Sequence, residues 1–137
     1  MTNGFTEITD IESLTRFLAA SNGAPAIVFK HSNSCGISSR AYTEMSRLGR
    51  PLGIVIVQNA RAVSADIEKR TGIAHETPQL LIFRNGEAVW TASHGQIRAE
   101  AVAAALEEIN SVASVSEAPT VSEGLDQLRS PRVSKGF

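Results

Sequence analysis

The segment AIVFKHSNSCGISSRAYTEMSRL, residues 26–48, is the most informative about the fold, because it predicts a strand, a polar turn and a helix in immediate succession. AIVFK (26–30) is short, apolar and partly β-branched, which is typical of a buried strand. The turn SNSCG follows, and ISSRAYTEMSRL (37–48) predicts a helix that ends before Pro51. Cys35, the only cysteine among 137 residues, therefore lies where a strand ends and a helix begins.

The sequence on either side extends this pattern. LGIVIVQ (52–58) is a nearly continuous apolar run that predicts a strand buried on both faces. QLLIF (79–83) and AVWTAS (88–93) predict a hairpin, because Asn85-Gly86 between them supplies the positive φ angles of a tight turn. Three further helices are predicted: one after a Thr9-Asp10 cap that ends at residues 21–25, one within residues 62–72 with Ser64 as its cap, and one over residues 97–109.

The order of these elements predicts the fold class. Strands that are separated by helical crossovers pair in parallel, and the hairpin adds an antiparallel edge. The expected result is a three-layer α/β domain over residues 1–109, a mixed sheet flanked by helices, which is the layout of the thioredoxin-like fold. Residues 110–137 are rich in Ser, Val, Glu and Pro without a clear period, and this composition predicts a mostly disordered C-terminal tail.

Composition and charge exclude several classes of function. The chain is 42% hydrophobic and 20% charged with a formal net charge of −1, which gives no electrostatic reason to expect nucleic acid or a membrane as partner. No apolar run approaches the roughly 20 residues of a membrane span, and the first residues lack the pattern of a secretory signal. A single cysteine forms no internal disulfide, which favours a reducing compartment. We therefore expect a cytoplasmic protein.

Cys35 is either a small buried side chain or a reactive thiol. A lone cysteine is more often a buried hydrophobe, but the polar turn SNSCG is a poor setting for core packing. Unpaired N–H groups and the helix dipole at a helix start favour the thiolate, which is the attacking species in disulfide exchange. Lys30, His31 and Arg40 either add positive potential or lie on solvated surface, and the sequence leaves both alternatives open.

Cys35-Gly36-Ile37-Ser38 has the C-x-x-C spacing with serine in the last place. A dithiol oxidoreductase uses the second cysteine to resolve a mixed disulfide, and Ser38 cannot do this. Its hydroxyl is expected to donate a hydrogen bond to the Cys35 thiolate from one helical turn away. The motif therefore predicts a monothiol route that ends with a second small thiol from solution.

Thr77-Pro78 stands directly before the QLLIF strand. A proline there is compatible with a simple edge position. In thioredoxin-like proteins, however, a cis-proline occupies this place beside the active-site cysteine, and the residue before it offers backbone groups to an extended substrate. We therefore predict a cis bond at Pro78 and a substrate-binding role for Thr77 and Pro78.

No bound metal or cofactor is predicted. His31, His75 and His94 together with Cys35 match no zinc-ligand spacing. The sequence also lacks any haem, flavin, nucleotide or glycine-rich phosphate signature.

FKHSNSCGIS (29–38) and HETPQLLIFRNGEAVWTASHG (75–95) resemble the monothiol bacilliredoxins, thioredoxin-like proteins of the bacillithiol system, and the resemblance covers roughly residues 7–109. It implies removal of bacillithiol from S-thiolated proteins, with Cys35 as nucleophile. One departure is Gly36, where members of the family often carry proline. This exchange leaves the identity of the small thiol open. Other family motif positions are matched by His31, Ser38, His75, Pro78 and His94.

The leading hypothesis is a monothiol disulfide oxidoreductase that acts on S-thiolated client proteins, with bacillithiol or another low-molecular-weight thiol as co-substrate. Release of glutathione or a different small thiol is a variant of the same hypothesis. The alternative is a redox-sensing or binding module whose Cys35 becomes thiolated without turnover. The expected catalytic residues are Cys35 and Ser38, and the expected substrate-binding residues are Thr77, Pro78, His31 and His75.

Overall fold

The computed structural model describes residues 4–34 and 36–116, with the surroundings of side chains described as far as residue 111. The predicted nucleophile Cys35 and the predicted tail beyond residue 116 lie outside the described residues. The elements are β1 (Phe5–Glu7), α1 (Ile11–Ala20), β2 (Ala26–His31), α2 (Gly36–Leu48), β3 (Leu52–Ile56), α3 (Arg61–Thr71), β4 (Gln79–Arg84), β5 (Glu87–Ser93), a 3-10 turn (His94–Gln96) and α4 (Ala99–Ser116). None of the described helices is both long and apolar enough to cross a membrane.

The five strands form one mixed sheet in the order β1-β3-β2-β4-β5. β3 pairs in parallel with both β1 and β2, whereas β4 is antiparallel to both β2 and β5. The predicted mixed sheet with a hairpin edge is therefore confirmed. β1 was not predicted, because its three residues, Phe5–Glu7, are too few for a detectable alternation and none of them is fully buried.

β2 lies in the centre of the sheet and all six of its residues are buried. On one side Lys30 is opposite Val55 of β3, and on the other side it is opposite Gln79 of β4. The continuous apolar run of AIVFK is explained by this position, since a central strand is covered on both faces. β2 therefore ends between two neighbouring strands, and the turn that precedes α2 begins at this end.

The turns and caps agree with the sequence except at one helix. Asn85 and Gly86 have φ angles of 53° and 82°, so the predicted hairpin turn is confirmed. Asp10 caps α1, because its Oδ1 accepts the Ser13 N–H at 2.8 Å. The prediction that Ser64 caps α3 is wrong: the helix already begins at Arg61, and Ser64 is buried inside it.

The last helix, α4, runs from Ala99 to Ser116 and passes the predicted end at residue 109. The prediction of disorder is therefore wrong for residues 110–116, a stretch of the sequence without glycine or proline. The fold divides into two units between Leu106 and Glu107, and the first of them contains the sheet. The domain boundary at residues 109 and 110 stays a prediction.

Gly53 of β3 is required by close packing. A Cβ atom at this position would lie 2.5 Å from Cδ1 of Ile8 and 3.1 Å from two ring atoms of Phe17. Both neighbours belong to a cluster of apolar side chains on one side of the sheet. The buried members of this cluster are Ile8, Leu14, Leu18, Ala26, Val28, Val55, Ala60, Val63, Ile67, Leu81 and Phe83.

We expect Gly53→Ala to lower the free energy of unfolding by about 1–3 kcal/mol, because the added methyl group overpacks the contact with Ile8 and Phe17. Gly36→Ala is the matched control, since a Cβ there meets no described atom within 4 Å. Urea unfolding followed by the fluorescence of Trp90 measures both changes. Equal stability of the two variants would contradict the packing argument.

Candidate active site

The turn between β2 and α2 is held by the hydroxyl of Ser38, a fully buried side chain in the first turn of α2. Ser38 Oγ accepts the N–H of Ser32 at 2.9 Å and lies 3.0 Å from Nδ1 of His31. One hydroxyl therefore ties the end of the central strand to the start of the helix. Cys35, between Ser34 and Gly36 in the sequence, belongs to the segment that this hydroxyl spans.

Gln58, two residues beyond β3, organises the same turn from the neighbouring strand. Its Nε2 donates to Ser32 Oγ at 2.8 Å and to Ser34 Oγ at 3.1 Å, and its Oε1 accepts the N–H of Asn33 at 3.2 Å. The sequence offered no signal for this role, because an isolated glutamine after a strand is an ordinary surface residue. The three residues before the cysteine are thus fixed by side chains from two other elements.

His31 is 8% exposed, and its ring centroid lies 5.1 Å from that of Tyr42 and 5.4 Å from that of Phe29. Burial lowers the pKa of His31 below its usual value of 6.5, so the ring is neutral at pH 7. Its tautomer decides the hydrogen bonds of Ser38. When Nδ1 carries the proton, it donates to Ser38 Oγ and leaves the hydroxyl proton free. When Nδ1 is unprotonated, it accepts that proton.

The peptide bond between Thr77 and Pro78 is cis, as predicted. The carbonyl oxygen of Pro78 accepts the N–H of His94 at 3.0 Å, which joins the proline to the turn after β5. Nε2 of His75 lies 3.2 Å from Oγ1 of Thr77. His75 is exposed and Thr77 is half-buried, so these two predicted substrate-binding residues border solvent, whereas Pro78 is buried.

Gln79 anchors the segment that precedes the cis-proline. Its Nε2 donates to the carbonyl oxygen of Ala74 at 3.1 Å, and its Oε1 accepts the N–H of Glu76 at 3.4 Å. The same Oε1 accepts a 2.7 Å hydrogen bond from Nζ of Lys30, which is fully buried. The ammonium group of Lys30 therefore stabilises the loop before Pro78 through the side chain of Gln79.

Lys30 is an unusual core residue, because an ammonium group loses most of its hydration when it is buried. Burial lowers the pKa of Lys30 from 10.5 to about 8, against the opposing effect of the Glu68 and Glu76 carboxylates. The pKa of His75 is also lowered, first by burial and then by the charge of Lys30. The alternative of a solvated surface position is therefore wrong for Lys30 and for His31, whereas Arg40 is exposed.

The predicted site residues form two groups at the end of the sheet where β2 terminates and β4 begins. His31 contacts Ser38, and His75 contacts Thr77 beside Pro78. The antiparallel register pairs Lys30 with Gln79, so the next positions along the two strands are His31 and Pro78. The two groups are therefore neighbours across the β2–β4 pair. Within residues 4–34 and 36–116, no three His, Cys, Asp or Glu side chains lie close enough to hold a metal ion.

We expect Lys30→Met to raise the free energy of unfolding at pH 7 by about 1–3 kcal/mol, because it removes a charge whose burial is unfavourable. The folded-state pKa of Lys30, about 8, lies below the unfolded value of 10.5. The unfolded chain therefore binds more protons between these two pH values, and the wild type becomes more stable relative to the variant as the pH rises through this window.

Urea unfolding at several pH values between 7 and 10.5 measures this difference, with Lys69→Met on the exposed face of α3 as control. A difference between wild type and Lys30→Met that stays constant over this range would contradict the burial of a charged Lys30.

Comparisons with known proteins agree with this geometry. Residues 6–102 match the family described as "Monothiol bacilliredoxin BrxC". A solved structure of a candidate oxidoreductase with a thioredoxin fold is 31% identical, covers 74% of this chain and 92% of that chain, and has a TM-score of 0.68. The thioredoxin of Fasciola hepatica is 12% identical, with 75% of this chain and 97% of that chain covered and a TM-score of 0.62.

The thioredoxin of Trypanosoma brucei brucei is 10% identical, with 80% of this chain and 91% of that chain covered and a TM-score of 0.61. The two thioredoxins show the fold alone, and they confirm the predicted thioredoxin-like architecture. The family match extends over both groups of candidate site residues, from His31 to His94, and indicates a thiol redox function. The chain belongs to the monothiol bacilliredoxin family.

Proposed function

We propose that the protein is a monothiol disulfide oxidoreductase that removes bacillithiol, or a similar small thiol, from S-thiolated proteins. The observation that carries this proposal is the position of the only cysteine. Cys35 directly precedes Gly36, the first residue of α2, in a turn that Ser38 and Gln58 fix by hydrogen bonds. A helix start favours the thiolate, which is the attacking species in disulfide exchange.

The proposed reaction has two exchange steps. In the first, the Cys35 thiolate attacks the sulfur of the small thiol in the client disulfide. The client thiolate leaves and takes up a proton, and a disulfide between Cys35 and the small thiol forms. In the second, another small-thiol thiolate attacks that disulfide and releases the Cys35 thiolate. In sum, the mixed disulfide of the client and one free small thiol give the client thiol and the symmetrical disulfide of the small thiol, so the electrons balance.

Ser38 has two proposed roles. As a hydrogen-bond partner of His31 and Ser32 it holds the turn, and with the proton of His31 on Nδ1 its hydroxyl is free to donate to the Cys35 thiolate. Ser38 carries no thiol, so the second step depends on a thiol from solution. Such a reaction needs a reduced pool of small thiol, and the cytoplasmic location stays a prediction.

The segment with the cis-proline is the proposed docking edge for the client. Gln79 holds this segment through Ala74 and Glu76, so its backbone is ordered before a client arrives. Thr77 would offer its backbone groups to an extended client chain, with His75 bonded to its hydroxyl. Order before binding reduces the entropy that association has to overcome.

Incubation of a bacillithiolated client with the wild type is expected to release the client thiol and to leave bacillithiol on Cys35, as detected by intact-protein mass. Cys35→Ser is expected to transfer nothing, whereas Ser39→Ala, a change on the exposed side of α2, is expected to retain full transfer. No transfer by the wild type, or equal transfer by Cys35→Ser, would contradict the proposed reaction.

A second addition distinguishes turnover from sensing. Free bacillithiol added after the first step is expected to release Cys35 and restore its unmodified mass. Persistent thiolation would favour the alternative, a redox-sensing module that is modified without turnover. The same client carrying glutathione, tested in parallel, shows which small thiol reacts faster.

A further inference from the structure

A cavity of about 280 Å³ lies between the first two turns of α2 and the segment that follows β5. Ile37 and Arg40 line it from α2, and His94 and Arg98 line it from the other side. The cavity adjoins both groups of the candidate active site. Ile37 is two residues beyond Cys35 in the sequence, and the N–H of His94 donates to the carbonyl oxygen of Pro78.

The side chains around this cavity are mainly basic. Arg40, Arg98 and His94 line it, and Glu44 is the one acidic side chain among its described lining residues. The Glu44 carboxylate is already engaged: Oε1 accepts the N–H of Ala99 at 2.8 Å, and Oε2 pairs with the guanidinium of Arg47 at 3.0 Å. The Ala99 N–H, with Arg47 and Arg98 nearby, holds the pKa of Glu44 below its usual value.

Arg40 is the cation that this arrangement leaves available. Its guanidinium forms no hydrogen bond or ion pair with any other residue in the described part of the chain, whereas Arg98 is 3.2 Å from Glu100. Both Arg98 and Glu100 are exposed, so their pair is weak and readily exchanged for another anion. His94 lies 3.3 Å from Glu76. A small anion that enters the cavity therefore meets two arginines and no uncompensated carboxylate on the lining.

We propose that this cavity binds the carboxylate end of the small thiol, with Arg40 as the principal partner and Arg98 as the second. This inference rests on the proposed function. A guanidinium binds a carboxylate through two parallel hydrogen bonds, which fixes the orientation of the ligand as well as its position. Ile37, whose side chain is 52% exposed, contacts the part of the same ligand that connects the carboxylate to the sulfur.

The inference specifies a substrate class: low-molecular-weight thiols that carry carboxylate groups. Bacillithiol and glutathione both belong to this class, whereas cysteamine carries no carboxylate. The cavity of about 280 Å³ is assigned to the small thiol, and the client is assigned to the segment with the cis-proline. The arginines act on binding and orientation, and the chemistry of exchange remains with the sulfur atoms.

The test uses one client protein that carries bacillithiol, glutathione or cysteamine on the same cysteine, and it measures KM and kcat for transfer to the full-length chain. Arg40→Ala is expected to raise KM about tenfold for the bacillithiol and glutathione forms, which corresponds to about 1.4 kcal/mol. It is expected to leave KM for the cysteamine form unchanged. Arg98→Ala is expected to act in the same direction with a smaller change.

Two controls accompany these variants. Arg40→Lys keeps the charge but not the two parallel donors, and it is expected to recover part of the lost affinity. Arg16→Ala removes an exposed arginine of α1 that does not line the cavity, and it is expected to change nothing. Circular dichroism verifies that every variant is folded.

The outcomes distinguish failure of the carboxylate site from failure of the proposed function. An equal rise of KM for the cysteamine form, or unchanged KM in both arginine variants, would overturn the carboxylate site while transfer itself still supports the proposed function. Absence of transfer by the wild type from all three client forms would overturn the function and, with it, this inference.

Discussion

The hydrogen bonds of the Ser38 hydroxyl connect the end of the central strand β2 with the first turn of α2. One oxygen contacts the backbone N–H of Ser32 and the ring of His31, so strand, turn and helix share a single fixed point. Gln58, just beyond the neighbouring strand β3, fixes Ser32, Asn33 and Ser34 by hydrogen bonds. The three residues that precede the single cysteine are thus held by side chains of the surrounding fold.

A second set of buried polar contacts stabilises the segment before the cis-proline, which belongs to the other group of candidate site residues. The hydrogen bond from Lys30 to Gln79 connects the central strand with the segment before the cis-proline. A buried ammonium group destabilises the fold unless it is well bonded, and the hydrogen bond to Gln79 supplies that bonding beside the segment before the cis-proline. The same strand therefore positions the turn at its end and the loop beside it.

Most of the architecture could be predicted from the sequence, because the deciding signals are local. The apolar run of AIVFK identifies a buried strand, Asn85-Gly86 identifies a tight hairpin, and Thr77-Pro78 before a strand identifies the cis-proline once the fold is accepted. Each of these features depends on neighbouring residues and on known backbone preferences.

The contacts that build the site could not be predicted in the same way, since they join residues far apart in the chain. Gln58 acts 24–26 residues from its partners Ser32 and Ser34, and Lys30 acts 49 residues from Gln79. A lysine in a strand carries no signal of burial until its partner across the sheet is known. The predicted cap of α3 was wrong because Ser64 satisfies a capping preference, whereas the helix begins at Arg61 after Ala60, which makes no side-chain cap hydrogen bond.

The proposed reaction requires Cys35 to be a thiolate nucleophile at a helix start, so the pKa of its thiol is the measurement that matters most. The rate of alkylation by iodoacetamide as a function of pH gives that pKa for the only cysteine of the chain. We predict a thiol pKa for Cys35 clearly below about 8.5, the pKa of a free thiol. A pKa at or above that value would contradict it.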